Sequence, residues 1–91
     1  MAAVRLLLFA RAREAAGRRD EVLEAATLGE LLTLAAGRYG PDFSAVLDAS
    51  RVWVNGDEPS AGSATALSDG DEVAVLPPVS GGAESPGPAL A

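Results

Sequence analysis

Apolar and polar residues alternate over residues 4–10, 19–25, 51–54 and 67–79, the period of half-buried strands. The first stretch turns apolar on both faces near its end, which suits a central strand, whereas the second is more polar and suits an edge. Between them, residues 11–17 are helix-prone for one or two turns and stop at Gly17, a residue fitted to the position after a helix. Thr27-Leu28-Gly29-Glu30 forms a capping box, in which the Thr27 hydroxyl takes the amide of Glu30 and the Glu30 side chain reaches back to the cap. It opens the one long helix. Leu28, Leu31, Leu32, Ala35 and Ala36 share a face of that helix, and Tyr39-Gly40-Pro41 closes it. Phe43, Val46 and Leu47 read as a short apolar turn beneath a loop. Asn55-Gly56 marks a tight turn after the third strand, residues 57–66 form a polar connection bearing Gly and Ser, and Asp69-Gly70 supplies a turn, with a residue free to take positive φ, before the alternation of Val73 and Val75 with Glu72 and Ala74.

The order strand, strand, helix, strand, strand offers one helix to cover one sheet. With the terminal strands as the central pair and a right-handed connection through the helix, the result is an α+β roll of the β-grasp, ubiquitin-like kind, a mixed sheet with the helix across one face. The order alone does not choose that roll. Charged residues label which strand face meets water. Arg5 places Leu7 and Phe9 on its side, Arg51 does so for Trp53, and Glu72 for Ala74 and Leu76. Val4, Leu6, Leu8, Val52, Val54, Val73 and Val75 then face the helix. Leu7, Phe9, Trp53 and Leu76 are left on a face that either docks a partner, or carries scattered apolar residues as open sheets do, or is covered by the 57–66 loop.

The last strand ends abruptly. Pro77-Pro78 has no N–H for a ladder and is stiff, so it projects Val79, Ser80 and the pair Gly81-Gly82 away from the sheet. Two glycines fit a channel too narrow for any other residue and could carry a main-chain carboxylate into another protein's active site. The plainer reading is a flexible linker into a tail. Residues 83–91 have neither periodicity nor a core to join and read as a disordered extension, leaving residues 1–82 as the single domain.

Composition narrows the chemistry. The 91 residues include no Cys and no His, which removes thiol nucleophiles, Ser-His or Cys-His pairs and the usual zinc sites. No metal site is expected. All seven basic residues are Arg, so there is neither Schiff-base chemistry nor a side-chain amine to accept an isopeptide bond. A net charge of −6, spread along the chain, argues against nucleic acid and for partners with basic surfaces, or serves solubility alone. The apolar run 6–9 is too short for a signal segment or a span and is closed by Arg11 and Arg13, so no membrane role and a cytoplasmic location are expected.

Three pieces taken together, Phe9-Ala10-Arg11-Ala12-Arg13-Glu14-Ala15-Ala16-Gly17, Val54-Asn55-Gly56 and the block from Leu67 to Gly82, resemble the MoaD/ThiS sulfur-carrier family, closest to molybdopterin synthase small subunits. The likeness covers residues 3–82, and its last block is the specific part. It implies the β-grasp fold and a carrier without a catalytic constellation of its own. It implies a ubiquitin-activating-like adenylyltransferase that uses ATP to turn the Gly82 carboxylate into an acyl-adenylate, after which a sulfur donor leaves a thiocarboxylate. No cofactor is expected on this chain. In molybdopterin synthase the tail, with Gly81 and Gly82 at its tip, would enter the large subunit and give sulfur to cyclic pyranopterin monophosphate. Phe9, Arg13 and Leu76 match family positions at the partner interface, beside Leu7, Trp53, Pro77, Pro78 and Val79 around the exit. Family members work from a terminal glycine, so the resemblance implies that residues 83–91 are first trimmed, by a deubiquitinase-like metalloprotease. Cysteine or thio-metabolite biosynthesis uses the same carrier chemistry and stands as an alternative, as does a β-grasp interaction module that is never activated.

Overall fold

The computed structural model describes residues 1–78. The expectations placed on Val79, Gly81, Gly82 and residues 83–91 lie outside the described residues. In chain order the elements are β1 (Ala2–Leu8), α1 (Ala10–Ala16), β2 (Asp20–Ala25), α2 (Leu28–Tyr39), α3 (Pro41–Asp48), β3 (Arg51–Val54) and β4 (Glu72–Leu76), with a 3-10 turn at Gly62–Ala64 before β4. The sheet runs β2-β1-β4-β3, with β1 and β4 parallel at its centre and antiparallel pairs on both sides. This is the mixed α+β roll of the ubiquitin-like β-grasp fold.

Register and parity agree. Val4, Leu6, Leu8, Val73 and Val75 are each at most 1% exposed and meet Leu28, Leu31 and Ala35 of α2 in one core with Phe43. Val52 and Val54 pack against that core from the edge strand and are half-buried. Because strand side chains alternate, sliding β4 by one residue would expose both of its valines, so burial of the valines holds the register.

The turn expected at residues 43–47 is instead the helix α3. Phe43, Val46 and Leu47 stand at helical spacing, and Gly40, at φ 100°, makes a corner that α3 leaves with Pro41 in its first turn. Tyr39-Gly40-Pro41 therefore ends one helix and starts another, and Tyr39 stacks edge-on against Phe43 with ring centres 5.0 Å apart. The last strand is also shorter than residues 67–79. Leu67 is buried, and the turn expected at Asp69-Gly70 separates it from the ladder: Gly70 takes φ 87°, its N–H donates to the Ala3 carbonyl, and the Asp69 carboxylate accepts the Ala3 N–H at 2.8 Å. Ladder pairing starts only at Glu72.

The first strand begins at Ala2 and stops at Leu8, because Ala10 turns the chain at φ 48° and Phe9 becomes the residue capping α1. Gly17 ends that helix in the left-handed conformation as expected, at φ 76°. The Thr27 hydroxyl does accept the Glu30 N–H at 3.2 Å. Glu30, however, reaches one residue beyond the cap and accepts the Ala26 N–H at 2.8 Å. Gly29 allows a close approach: a Cβ there would lie 3.1 Å from the Cβ and the carbonyl oxygen of Ser63, a tight contact. That contact holds the 57–66 connection on the α2 side of the sheet.

Candidate functional site

All three helices lie on one side of the sheet, and the other side is bare. Its side chains form rows fixed by the strand registers. Val22, Arg5 and Glu72 make one row; Asp20, Leu7, Ala74 and Trp53 make the next; Leu76 and Arg51 make a third. The row through Arg5 is polar, its guanidinium bridging Asp20 at 3.2 Å and Glu72 at 3.7 Å. These pairs are half-exposed and contribute little energy. Above them the half-buried Leu7, Ala74, Trp53 and Leu76 form an apolar patch. The 57–66 connection does not cover this patch. At the β3 edge Asp57 pairs with Val54 and Glu58 lies 3.9 Å from Arg51.

Phe9 extends the patch past the end of β1. Its backbone is still extended (φ −121°, ψ 153°), so the alternation that exposes Leu7 carries on to it, and it is 39% exposed. Its carbonyl accepts the N–H groups of Ala12 and Arg13 and so anchors α1 at this corner. Arg13 is exposed on α1 and makes no ion pair among the described residues. Leu76 ends β4 beside the patch, followed by a half-buried Pro77 and an exposed Pro78, which border a cleft of about 200 Å³ with Arg11, Ala45, Val46 and Ala49. Leu7, Phe9, Trp53 and Leu76 are thus gathered at one end of the bare face, and the two prolines that follow lie beside α1 and α3. Arg13 stands on the neighbouring helix.

Two polar clamps escape a reading by pattern. Asn55, at φ 53° in the turn after β3, accepts the Glu72 N–H at 2.9 Å and donates to Asp71 at 3.0 Å, locking the start of β4. The Ser68 amide and Asn55 together lower the pKa of Asp71. The second clamp centres on Glu21 in β2, whose carboxylate accepts from Arg38 Nε at 2.9 and 3.0 Å and from the Tyr39 hydroxyl, with Arg18 at 3.4 Å. The Arg38 and Tyr39 hydrogen bonds hold the Glu21 carboxyl down at about 2, against desolvation. Burial, then the bond to Glu21, pushes the Tyr39 hydroxyl up to about 12. This clamp ties the end of α2 to the outer strand and leaves the bare face free. Exposed Val22 also belongs to that face and was missed, because β2 gives a weak alternation. Among the described residues no cluster of three or more acidic, Cys or His side chains could hold a metal, and no helix is long and apolar enough to cross a membrane.

A small β-grasp domain with a bare sheet face, and a last central strand that runs out beside that face, has the design of a ubiquitin-like carrier. The chain belongs to the ThiS family, whose model matches residues 6–82, and so to the MoaD/ThiS sulfur carriers. Among solved structures it is similar to the small archaeal modifier protein 1 of Methanosarcina acetivorans, at 32% identity over 90% of this chain and 98% of that one, TM-score 0.80. It is also similar to a putative molybdopterin converting factor subunit 1 of Pyrococcus furiosus, at 30% identity over 87% and 100%, TM-score 0.75. At 24% identity, over 87% and 97% of the chains, the fold recurs in the protein–protein complex of subunits 1 and 2 of the molybdopterin-converting factor from Helicobacter pylori, TM-score 0.67. Comparison with curated proteins gives no match.

Proposed function

We propose that the protein carries sulfur as a thiocarboxylate on Gly82, exposed by removal of residues 83–91, and that it serves as the small subunit of a molybdopterin synthase. The observation that carries this is the continuity of the apolar patch with β4, the strand that leads to the diglycine. A partner seated on Leu7, Trp53, Leu76 and Phe9 would hold the exit at Pro77-Pro78 against its own surface and receive the tail. Such a patch, bare and apolar beside polar rows, is the kind of surface proteins dock through.

The chemistry lies with the partners. A carboxylate is a poor electrophile until one oxygen becomes a leaving group. An adenylyltransferase attaches the Gly82 oxygen to the α-phosphate of ATP and releases pyrophosphate. A donor persulfide then attacks the acyl carbon and expels AMP, and a thiol takes the donor sulfur of the resulting acyl disulfide into a disulfide, leaving the thiocarboxylate. This chain supplies the docking face and an unobstructed terminus, which accords with its lack of Cys, His and Lys. The molybdopterin branch is favoured by the Phe9–Gly17 segment and by the likeness to the Pyrococcus subunit. The likeness to a small archaeal modifier protein supports a second reading, in which the same activated carboxylate is joined to an amine instead of to sulfur.

The test compares the full chain with one ended at Gly82. The shortened chain is expected to support ATP–pyrophosphate exchange by its adenylyltransferase and to gain the mass of a sulfur-for-oxygen exchange, and the full chain to do neither until trimmed. Sulfur transfer by the intact chain, or a thiocarboxylate on Ala91, would refute the reading. Transfer to a pyranopterin in the presence of a synthase large subunit separates the molybdopterin role from the modifier role.

A further inference from the structure

The sheet has two edges, and the chain treats them differently. At β3 the outward backbone groups of Val54 are occupied, its N–H donating to the Asp57 carbonyl at 2.8 Å and its own carbonyl accepting the Asp57 N–H at 3.0 Å, so that among the described residues Val52 alone is left open on this short edge. At β2 the pairing to β1 follows from the Leu8 N–H donating to the Arg19 carbonyl. With Leu6 opposite Glu21 and Val4 opposite Leu23, hydrogen-bonded pairs fall on odd-numbered residues, so Asp20, Val22 and Glu24 turn their N–H and C=O groups outward. Among the described residues none of these groups has a partner. Ala26, next in the outward series, is occupied by Glu30 and Leu67.

Side chains on both sides of this edge select what could pair with it. On the bare face Val22 is 64% exposed between the carboxylates of Asp20 and Glu24. On the helix side lies a groove of about 430 Å³ lined by Met1, Glu24, Gly29, Glu30, Thr33 and Leu34, with Leu34 44% exposed. We propose that the outer edge of β2 docks an extended segment of a partner protein in which basic and apolar residues alternate. The segment pairs with the free groups of Asp20, Val22 and Glu24 as an added strand. Its basic side chains then fall beside Asp20 and Glu24, and its apolar ones enter the groove against Leu34, since alternate residues of a strand face opposite ways. A second copy of this chain fits poorly, because antiparallel pairing about Val22 sets Asp20 of one copy opposite Glu24 of the other.

The test uses the full-length protein, labelled with nitrogen-15 and titrated with a peptide of sequence Lys-Val-Lys-Val-Lys capped at both ends. Two comparison peptides are Lys-Lys-Lys-Val-Val and Glu-Val-Glu-Val-Glu. Expected are shifts of the Asp20, Val22, Glu24 and Leu34 amides and slowed exchange at Val22 with the alternating basic peptide, and neither effect with the others. Val22→Pro removes the central outward N–H at a position where an edge strand tolerates proline, and should weaken binding about fivefold. Methylating the central backbone nitrogen of the peptide makes the same test from the other side should that variant unfold. Asp20→Lys with Glu24→Lys should transfer the preference to the Glu peptide. Equal binding of the blocked and alternating peptides, shifts centred on Trp53 and Leu76, self-association through β2, or undiminished binding of both Val22→Pro and the methylated peptide would each overturn the proposal.

Discussion

Replacing Glu21 by Gln removes one charge and little else, and its cost can be followed with pH. The Glu21 carboxyl moves from its ordinary 4.5 to about 2 in the folded chain, chiefly through the hydrogen bonds from Arg38 and Tyr39. At about 1.4 kcal/mol per tenfold change in proton affinity, this difference sets a ceiling of about 3 kcal/mol. Arg38 and Arg18 are about half exposed, at 50% and 48%, so solvent screening brings the expected loss to about 1.5 kcal/mol. Because the folded carboxyl is the stronger acid, its contribution is complete above pH 4.5 and disappears as the pH falls toward 2. Urea unfolding, followed by the fluorescence of the single Trp, Trp53, measures both proteins at each pH. The gap between wild type and Glu21→Gln should hold steady from pH 7 to 5, shrink below 4.5 and close near 2, the other carboxylates cancelling in the difference. A gap that persists at pH 2, or none at pH 7, would refute the account of the clamp as a charged tie.

Other consequences follow from the face and its frame. Phe9→Ala or Leu76→Ala should weaken binding to the adenylyltransferase or to a synthase large subunit, as interface anchors do, with unfolding free energy nearly unchanged. A loss of the several kcal/mol seen for buried truncations would place these side chains in the core instead, and urea unfolding distinguishes the two. Ala10, at φ 48° with an exposed side chain, should be improved by Ala10→Gly, by about 0.5–1 kcal/mol after the added chain entropy of glycine, whereas an ordinary helical site would lose stability. Asn55→Gly keeps the left-handed turn but removes both bonds to the start of β4, so it should cost about 1 kcal/mol, with Asn55→Ala costing more through strain; equal thermal stability of all three proteins would exclude the clamp.

Much of this architecture was legible in residue order because local rules and burial agree there. Alternation in residues 4–8, 51–54 and 72–76 gave the face of every side chain, since a strand buried on one side has only one register that hides its valines. The capping box at Thr27, the stop at Gly17 and the turn at Asn55-Gly56 depend on nearest neighbours and appear in place. The bare face could be named for the same reason, residue by residue, from Arg5, Arg51 and Glu72. What pattern could not supply depends on partners distant in the chain. Asp69-Gly70 reads as a turn, but the partner it clasps, Ala3 through the Asp69 carboxylate and the Gly70 amide, lies far away in the chain. Residues 41–48 form a helix because Phe43 finds the core and Tyr39, while Gly40 and Pro41, which ordinarily end a helix, here only turn a corner. Whether the 57–66 connection would hide the face was open in the sequence, and the contact of Gly29 with Ser63 settles it. The Glu21 clamp and the open edge of β2 arise only when β2 lies outermost with the end of α2 beside it, a matter of tertiary arrangement that the spacing of residues along one strand does not encode.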